Sequence, residues 1–217
     1  MGGLDAAKPV IICGSGPSLT KVPYREPGYP LAAISTAIRA VPEPDYWILV
    51  DRARDAHGDA GQAALRNPEV KKVVPGDREK LFEKFPNVEV VRRFSAGAAP
   101  DREFMDGKDG VVTAINRSIL FAVQVLAREF DTLIFAGVDL KTTKQRSYCH
   151  DFEPPEKKRV VSMEKGLKLE RDQLRRWAPI AKKHGVHWLS WTPGSPIEEF
   201  LEKFEWMSTQ SCENCGS

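Results

Sequence analysis

Short runs of apolar residues without polar alternation recur along the chain. Val10-Ile11-Ile12-Cys13 is the first. Such a run suits a strand buried on both faces, as in a parallel sheet. Residues 31–35 and 46–50 read the same way, as do 70–74, 88–91, 132–136 and 187–191. Helical spacing takes over between them. Across 111–128 the apolar positions Val112, Ile115, Ile119, Val123 and Leu126 predict one helix, with Gly110 just before it. Leu167, Leu174, Trp177 and Ala181 predict a second helix over 163–184, which Pro179 is expected to bend or interrupt. Strands alternating with helices predict an α/β fold: a doubly wound, mostly parallel sheet with helices on both faces. Between Lys141 and Val161 the pattern lapses into a polar stretch containing Pro154-Pro155, read as a loop or lid at about 141–162. One domain is expected over 1–204, with 205–217 as a tail.

Composition narrows this picture. The chain has 217 residues, 41% hydrophobic and 29% charged, which suits a folded domain whose core needs no disulfide or metal. No segment approaches the ~20 apolar residues of a membrane span. The first residues lack the basic start and apolar run of a signal peptide, so a cytoplasmic location is expected. Net charge is +2, but 141–184 alone carries 13 Lys/Arg against 6 Asp/Glu. That basic region reads as a solvated helix face or as a surface for an anionic acceptor or nucleic acid. Cys13 sits in an apolar run and reads as core. Cys212-Glu-Asn-Cys215 is a single CxxC, and Cys149 and His150 are adjacent in sequence, so zinc is not expected.

The chemistry gathers at strand ends. The first strand leads into Gly14-Ser15-Gly16-Pro17-Ser18-Leu19. In a doubly wound sheet that turn lies at a strand's carboxyl end, where ligands bind. Glycines there allow close backbone approach, and amides at a following helix start favour an anion such as a phosphate. The turn lacks the third Gly of the dinucleotide fingerprint, where Leu19 stands, and the Gly-Lys-Ser/Thr of a P-loop. Other strands end in Ser35-Thr36, in Asp51 and in Gly137-Val138-Asp139. Parallel strands would bring these to one crevice, where Asp51 or Asp139 could hold a ribose hydroxyl or a magnesium ion. Each alone also reads as a turn or cap residue. His150, between Tyr148 and Asp151, reads as an exposed loop residue or as a general base.

Several segments together carry a resemblance. They are residues 11–19, Pro44-Asp45-Tyr46 leading to Asp51, Gly110 to Thr113 opening a helix, and residues 135–140. Cys149-His150 and the late Trp188-Leu-Ser-Trp-Thr-Pro-Gly-Ser195 complete the set. Over roughly 8–200 the chain resembles the Rossmann-like family of bacterial sialyltransferases that use CMP-sialic acid. It is also similar to the related archaeal 6-hydroxymethylpterin diphosphokinases and phage-encoded proteins. The resemblance implies that Gly14, Ser15, Gly16, Pro17, Ser18, Ser35, Thr36, Asp51, Gly110, Thr113 and Asp139 hold a nucleotide-activated donor, a nucleotide sugar. It implies that His150 is the general base toward an acceptor hydroxyl and that Tyr148 steadies the leaving phosphate. Ser15 and Ser35-Thr36 stand where the sialyltransferases carry asparagines. Asp51-Arg52-Ala53-Arg54-Asp55 has arginines where the pterin kinases are more acidic. A glycosyltransferase-like enzyme is therefore expected. The alternatives are a magnesium-dependent diphosphokinase acting on a small heterocyclic alcohol, and a non-enzymatic nucleotide- or nucleic-acid-binding module.

Overall fold

The structure, a computed structural model, describes residues 7–50, 58–91, 93–94, 112–113, 118–141 and 157–206. Eight strands form one open, entirely parallel sheet. In chain order they are β1 (Pro9–Cys13), β2 (Leu31–Ile34), β3 (Tyr46–Ile48), β4 (Lys71–Pro75) and β5 (Val88–Val91). The series continues after a separate pair, β6 (Arg93–Phe94) and β7 (Val112–Thr113), with β8 (Thr132–Ala136), β9 (His187–Trp191) and β10 (Glu202–Lys203). The order across the sheet is β10-β9-β8-β1-β2-β3-β4-β5. The chain therefore winds outward from β1 to β5, returns to place β8 on the other flank of β1, and winds outward again.

Both faces are covered, which is why the central strands β1, β2 and β8 read as apolar runs without polar alternation. Val10 and Ile12 face one core with Leu133 and Phe135 of β8. Two helices, α3 (Ser118–Leu126) and α4 (Lys157–Lys183), supply much of the rest of that core. Ile11 and Cys13 face the second core, which is closed by α1 (Gly58–Arg66), α2 (Glu79–Phe82) and the short 3-10 turns Pro17–Lys21 and Ser35–Arg39. The chain is thus a doubly wound α/β protein with helical layers on both faces. Cys13 is buried in the second core, as its apolar setting implies.

The described residues revise details of this reading. Of the helix expected over 111–128, α3 covers Ser118–Leu126, Val112 and Thr113 instead pair with Arg93 and Phe94 as a strand, and 111 and 114–117 lie outside the described residues. Val112 and Thr113 are β-branched and fit a pleated strand better than a helical turn. From Ile119 to Leu126 every residue is buried, so the helical period there does not mark an exposed side. Of the loop or lid expected at 141–162, residues 142–156 lie outside the described residues, and 157–162 belong to α4. Pro179 does not interrupt α4: it and Arg175, whose carbonyl loses its donor, are exposed, so water can replace the missing bond. Past residue 204, Trp206 still packs on the second core and its Nε1 donates to Glu26 at 3.1 Å.

Candidate functional site

Strand order locates the site. Neighbouring strands β1 and β8 lead their chains in opposite directions across the sheet, and the crevice beyond their carboxyl ends is the switch point where open α/β sheets take ligands. The Gly14–Ser18 loop follows β1, and Gly137-Val138-Asp139 follows β8, so the two segments meet there. The Gly14 amide donates to the Ala136 carbonyl at 2.8 Å, and the Gly16 amide to the Gly137 carbonyl at 2.8 Å. A Cβ on Gly16 would lie 2.6 Å from the Gly137 carbonyl oxygen and would run into the Asp139 carboxylate. Only glycine permits that approach.

Asp139 is 7% exposed. Its Oδ2 accepts the Ser18 amide at 3.1 Å and the Ser18 hydroxyl at 2.8 Å. A carboxylate thus already sits at the start of the 3-10 turn Pro17–Lys21, where a phosphate was expected. The Leu19 amide closes on the Gly16 carbonyl at 3.1 Å. Among the described residues, the hydrogen-bond donors of this loop without a partner are the amide and hydroxyl of half-buried Ser15. Ser15 is therefore the residue of this loop with donors to offer a ligand.

The β2 end lies beside it, since Cys13 pairs with Ala33. Ser35 has φ 48°, a left-handed backbone that serine seldom adopts, and its carbonyl accepts the Trp47 indole Nε1 at 2.9 Å. Thr36 follows, half-buried. On the β8 side Leu140 is also left-handed, at φ 46°. Strained backbone persists where its surroundings over-determine it, and it clusters at ligand sites. Here the surroundings come from the turn after β9. The Thr192 hydroxyl donates to the Phe135 carbonyl at 2.8 Å, and the Ser195 hydroxyl lies 2.8 Å from the Val138 carbonyl and 3.0 Å from that of Asp139. Beyond Leu140, the Lys141 amine donates to the Gly194 carbonyl.

The structure thus brings together Gly14, Ser15, Gly16, Pro17, Ser18 and Asp139, with Ser35 and Thr36 on the adjoining strand. Thr113 lies instead in the small β6-β7 sheet and does not open a helix. Asp51, Gly110, Tyr148 and His150 lie outside the described residues, as do Cys149 and the C-terminal CxxC. Sequence reasoning missed Thr192 and Ser195 as parts of the site. The signal available was Thr192-Pro193-Gly194-Ser195, a turn with a hydroxyl at each end directly after the last long strand.

Other polar clusters lie elsewhere. A groove of about 240 Å³ between α4 and β9-β10 is lined by Pro179, Trp188 and Phe200. Its charges balance within the chain, with Arg175 paired to Glu199 and Lys182 to Glu202. From residue 157 onward the basic region rides on α4, where Lys165, Lys168, Arg176 and Lys183 are exposed. Among the described residues no group of His, Cys, Asp and Glu has metal-site geometry, and no helix is long and apolar enough to cross a membrane.

Fold and strand order together define a doubly wound α/β protein with its switch point between β1 and β8. No family model and no curated protein sequence matches the chain. Solved structures do. A variant of the sialyltransferase Cst-II in complex with CMP is 12% identical, with a TM-score of 0.51, over 92% of this chain and 89% of that one. The sialyltransferase CstII from Campylobacter jejuni with the substrate analogue CMP-3FNeuAc is 13% identical, with a TM-score of 0.41, over 90% and 86%. The monofunctional alpha-2,3-sialyltransferase Cst-I from Campylobacter jejuni is 11% identical, with a TM-score of 0.42, over 95% and 86%. The first of these shows that the fold is sialyltransferase-like.

Proposed function

We propose that the protein is a glycosyltransferase-like enzyme that moves a sugar from a CMP-activated donor to an acceptor hydroxyl. The observation that carries this reading is the position of the Gly14–Ser18 loop, at the β1/β8 switch point of a fold like that of a sialyltransferase in complex with CMP. In this reading the donor phosphate meets the amide and hydroxyl of Ser15. Ser35 and Thr36, with Asp51 and Gly110, complete the nucleotide contacts, and Asp139 holds the loop in shape through Ser18. His150 takes the proton of the acceptor hydroxyl. The acceptor oxygen then bonds to the anomeric carbon as the bond from that carbon to the phosphate oxygen breaks. CMP leaves with the electron pair, steadied by Tyr148. Positioning and proton removal supply the rate. Asp139 gives little support to a magnesium-dependent kinase, because its Oδ2 is already committed to Ser18.

Thermal shift with CMP, UDP, GDP and ATP, each with and without magnesium, tests the donor site. CMP at ~100 times its dissociation constant should add ~2.7 kcal/mol of stability without magnesium. His150→Ala should keep CMP binding and slow transfer by ~10²–10⁴-fold. Stabilisation by ATP only with magnesium, and none by CMP, would replace this reading with the diphosphokinase. Transfer as fast as the parent's in His150→Ala would remove the base.

A further inference from the structure

We infer that Thr192 and Ser195 are positioning residues for the nucleotide site, acting on the Gly14–Ser18 loop from across the switch point without touching the ligand. The inference rests on the nucleotide reading above and adds residues that neither the loop sequence nor its glycines identify. It starts from strain. The segment after β8 contains two left-handed residues within four positions, Gly137 at φ 67° and Leu140 at φ 46°. Glycine adopts that backbone at no steric cost, whereas leucine does not. Something must hold Leu140 there.

Two buried hydroxyls supply the hold. Thr192 is fully buried; its Oγ1 donates to the Phe135 carbonyl at 2.8 Å and accepts the Val138 amide at 3.4 Å. Ser195 is buried as well; its Oγ is shared between the Val138 and Asp139 carbonyls at 2.8 and 3.0 Å and accepts the Ile197 amide at 3.4 Å. Together they bond the backbone at three of the five positions 135–139. The same segment then grips the loop after β1, with Gly137 accepting the Gly16 amide and Asp139 accepting Ser18 twice. A continuous set of hydrogen bonds therefore runs from the turn after β9, through the end of β8, to the loop that presents Ser15. Apart from half-buried Gly16 its members are buried, where an unpaired carbonyl is costly and a satisfied network is rigid. Loss of either hydroxyl should let 137–140 relax and release Ser18 from Asp139. The effect on affinity would come from a loop that must be ordered again on binding.

The test compares Thr192→Val and Ser195→Ala with the conservative Thr192→Ser and Ser195→Thr, using the full chain. Titration with CMP should show affinity weaker by about tenfold in the first two, the equivalent of one buried hydrogen bond, and near the parent's in Thr192→Ser. Hydrogen exchange without nucleotide is the second measurement. The Gly16 and Ser18 amides should exchange about tenfold faster in Thr192→Val and Ser195→Ala, while those of β4 and β5 keep the parent's rates. Unchanged loop exchange would overturn the inference whatever CMP does. Faster loop exchange in a parent that binds no CMP would keep the clamp and remove the nucleotide reading. CMP affinity unchanged despite faster exchange would overturn the positioning role and leave the nucleotide reading standing.

Discussion

The two edges of the sheet are built from opposite materials. At the amino edge, order comes from charge. Lys71 at the start of β4 pairs with Glu89 and Glu129 at 2.8 Å each, and the Tyr46 hydroxyl donates to Glu129 at 2.7 Å. The Leu31 amide is capped by Asp45 at 2.8 Å, and that of Lys8 by Asp131 at 2.9 Å. Lys72, 0% exposed, ties two incoming loops by donating to the Asn67 carbonyl and, at 3.0 Å, to that of Pro86. The left-handed non-glycine residue at this edge is Asn87, a residue type that tolerates the conformation. At the described carboxyl edge beside β1 and β8, order comes mainly from backbone amides, neutral hydroxyls and the buried Asp139 carboxylate, with the Lys141 amine on the Gly194 carbonyl at its rim, and the left-handed non-glycine residues are Ser35 and Leu140. An edge that only has to close can satisfy its charges with one another. An edge that has to receive a ligand keeps donors unspent, as at Ser15, and holds strained backbone in place.

The shifted titrations follow the same division, since those resolved among the described groups belong to the amino edge. Burial, the hydrogen bond to Glu129 and that carboxylate's charge push the Tyr46 phenol up to about 12. Burial opposes the charge on Lys71, but its two carboxylate partners outweigh this and raise its pKa. Burial also opposes the charge on Glu129, and hydrogen bonds from Lys71 and Tyr46 outweigh that to hold it below the usual carboxylate value. Lys72 has carbonyl partners only, so burial lowers its amine below 10.5.

These differences set the order of expected effects. Gly16→Val should be the most severe, because its side chain collides with Gly137 and Asp139 at once. We expect about 1–3 kcal/mol of lost stability and no measurable CMP binding, read by denaturant melts and titration. Parent-like affinity would remove this loop from the site.

Lys72→Met should act on the opposite edge and spare CMP affinity. It leaves the Asn67 and Pro86 carbonyls without their donor, costing about 1–3 kcal/mol. Its pH signature has a definite sign. Between the lowered folded pKa and 10.5, the unfolded chain keeps a proton that the folded chain has released. The Lys72 contribution to stability therefore rises with pH in that window. The stability difference between parent and Lys72→Met should widen as pH climbs toward 10.5, and a constant difference would contradict a depressed amine.

Glu129→Gln should be the mildest. The side chain is 42% exposed, so its pairs contribute less than about 1 kcal/mol. Because the folded pKa is depressed, that contribution is present above the ordinary carboxylate range and disappears as pH falls through the folded value. Melting curves of parent and variant should converge in acid. Persistent separation there would mean that Glu129 acts through packing.

The amino-acid sequence alone determined the α/β class, the strands at 10–13, 31–34 and 132–136, and the location of the Gly-rich loop. Burial on both faces leaves unbroken apolar runs, and a close backbone approach demands glycine, so both write themselves into residue type. The extent of α3 was not legible, because the helix is apolar all round and its β-branched approach pairs as β7 instead. Nor was the partnership of Ser18 with Asp139, 121 residues apart, or that of Ser195 with the Val138 carbonyl, 57 residues apart. Those bonds exist because the chain returns from β5 to set β8 beside β1. Only the tertiary structure decided that Asp139 serves the loop through Ser18 and that the Ser15 amide and hydroxyl stay unspent. A hydroxyl or carboxylate at a strand end carries no mark of its partner until strand order brings the two within hydrogen-bonding distance.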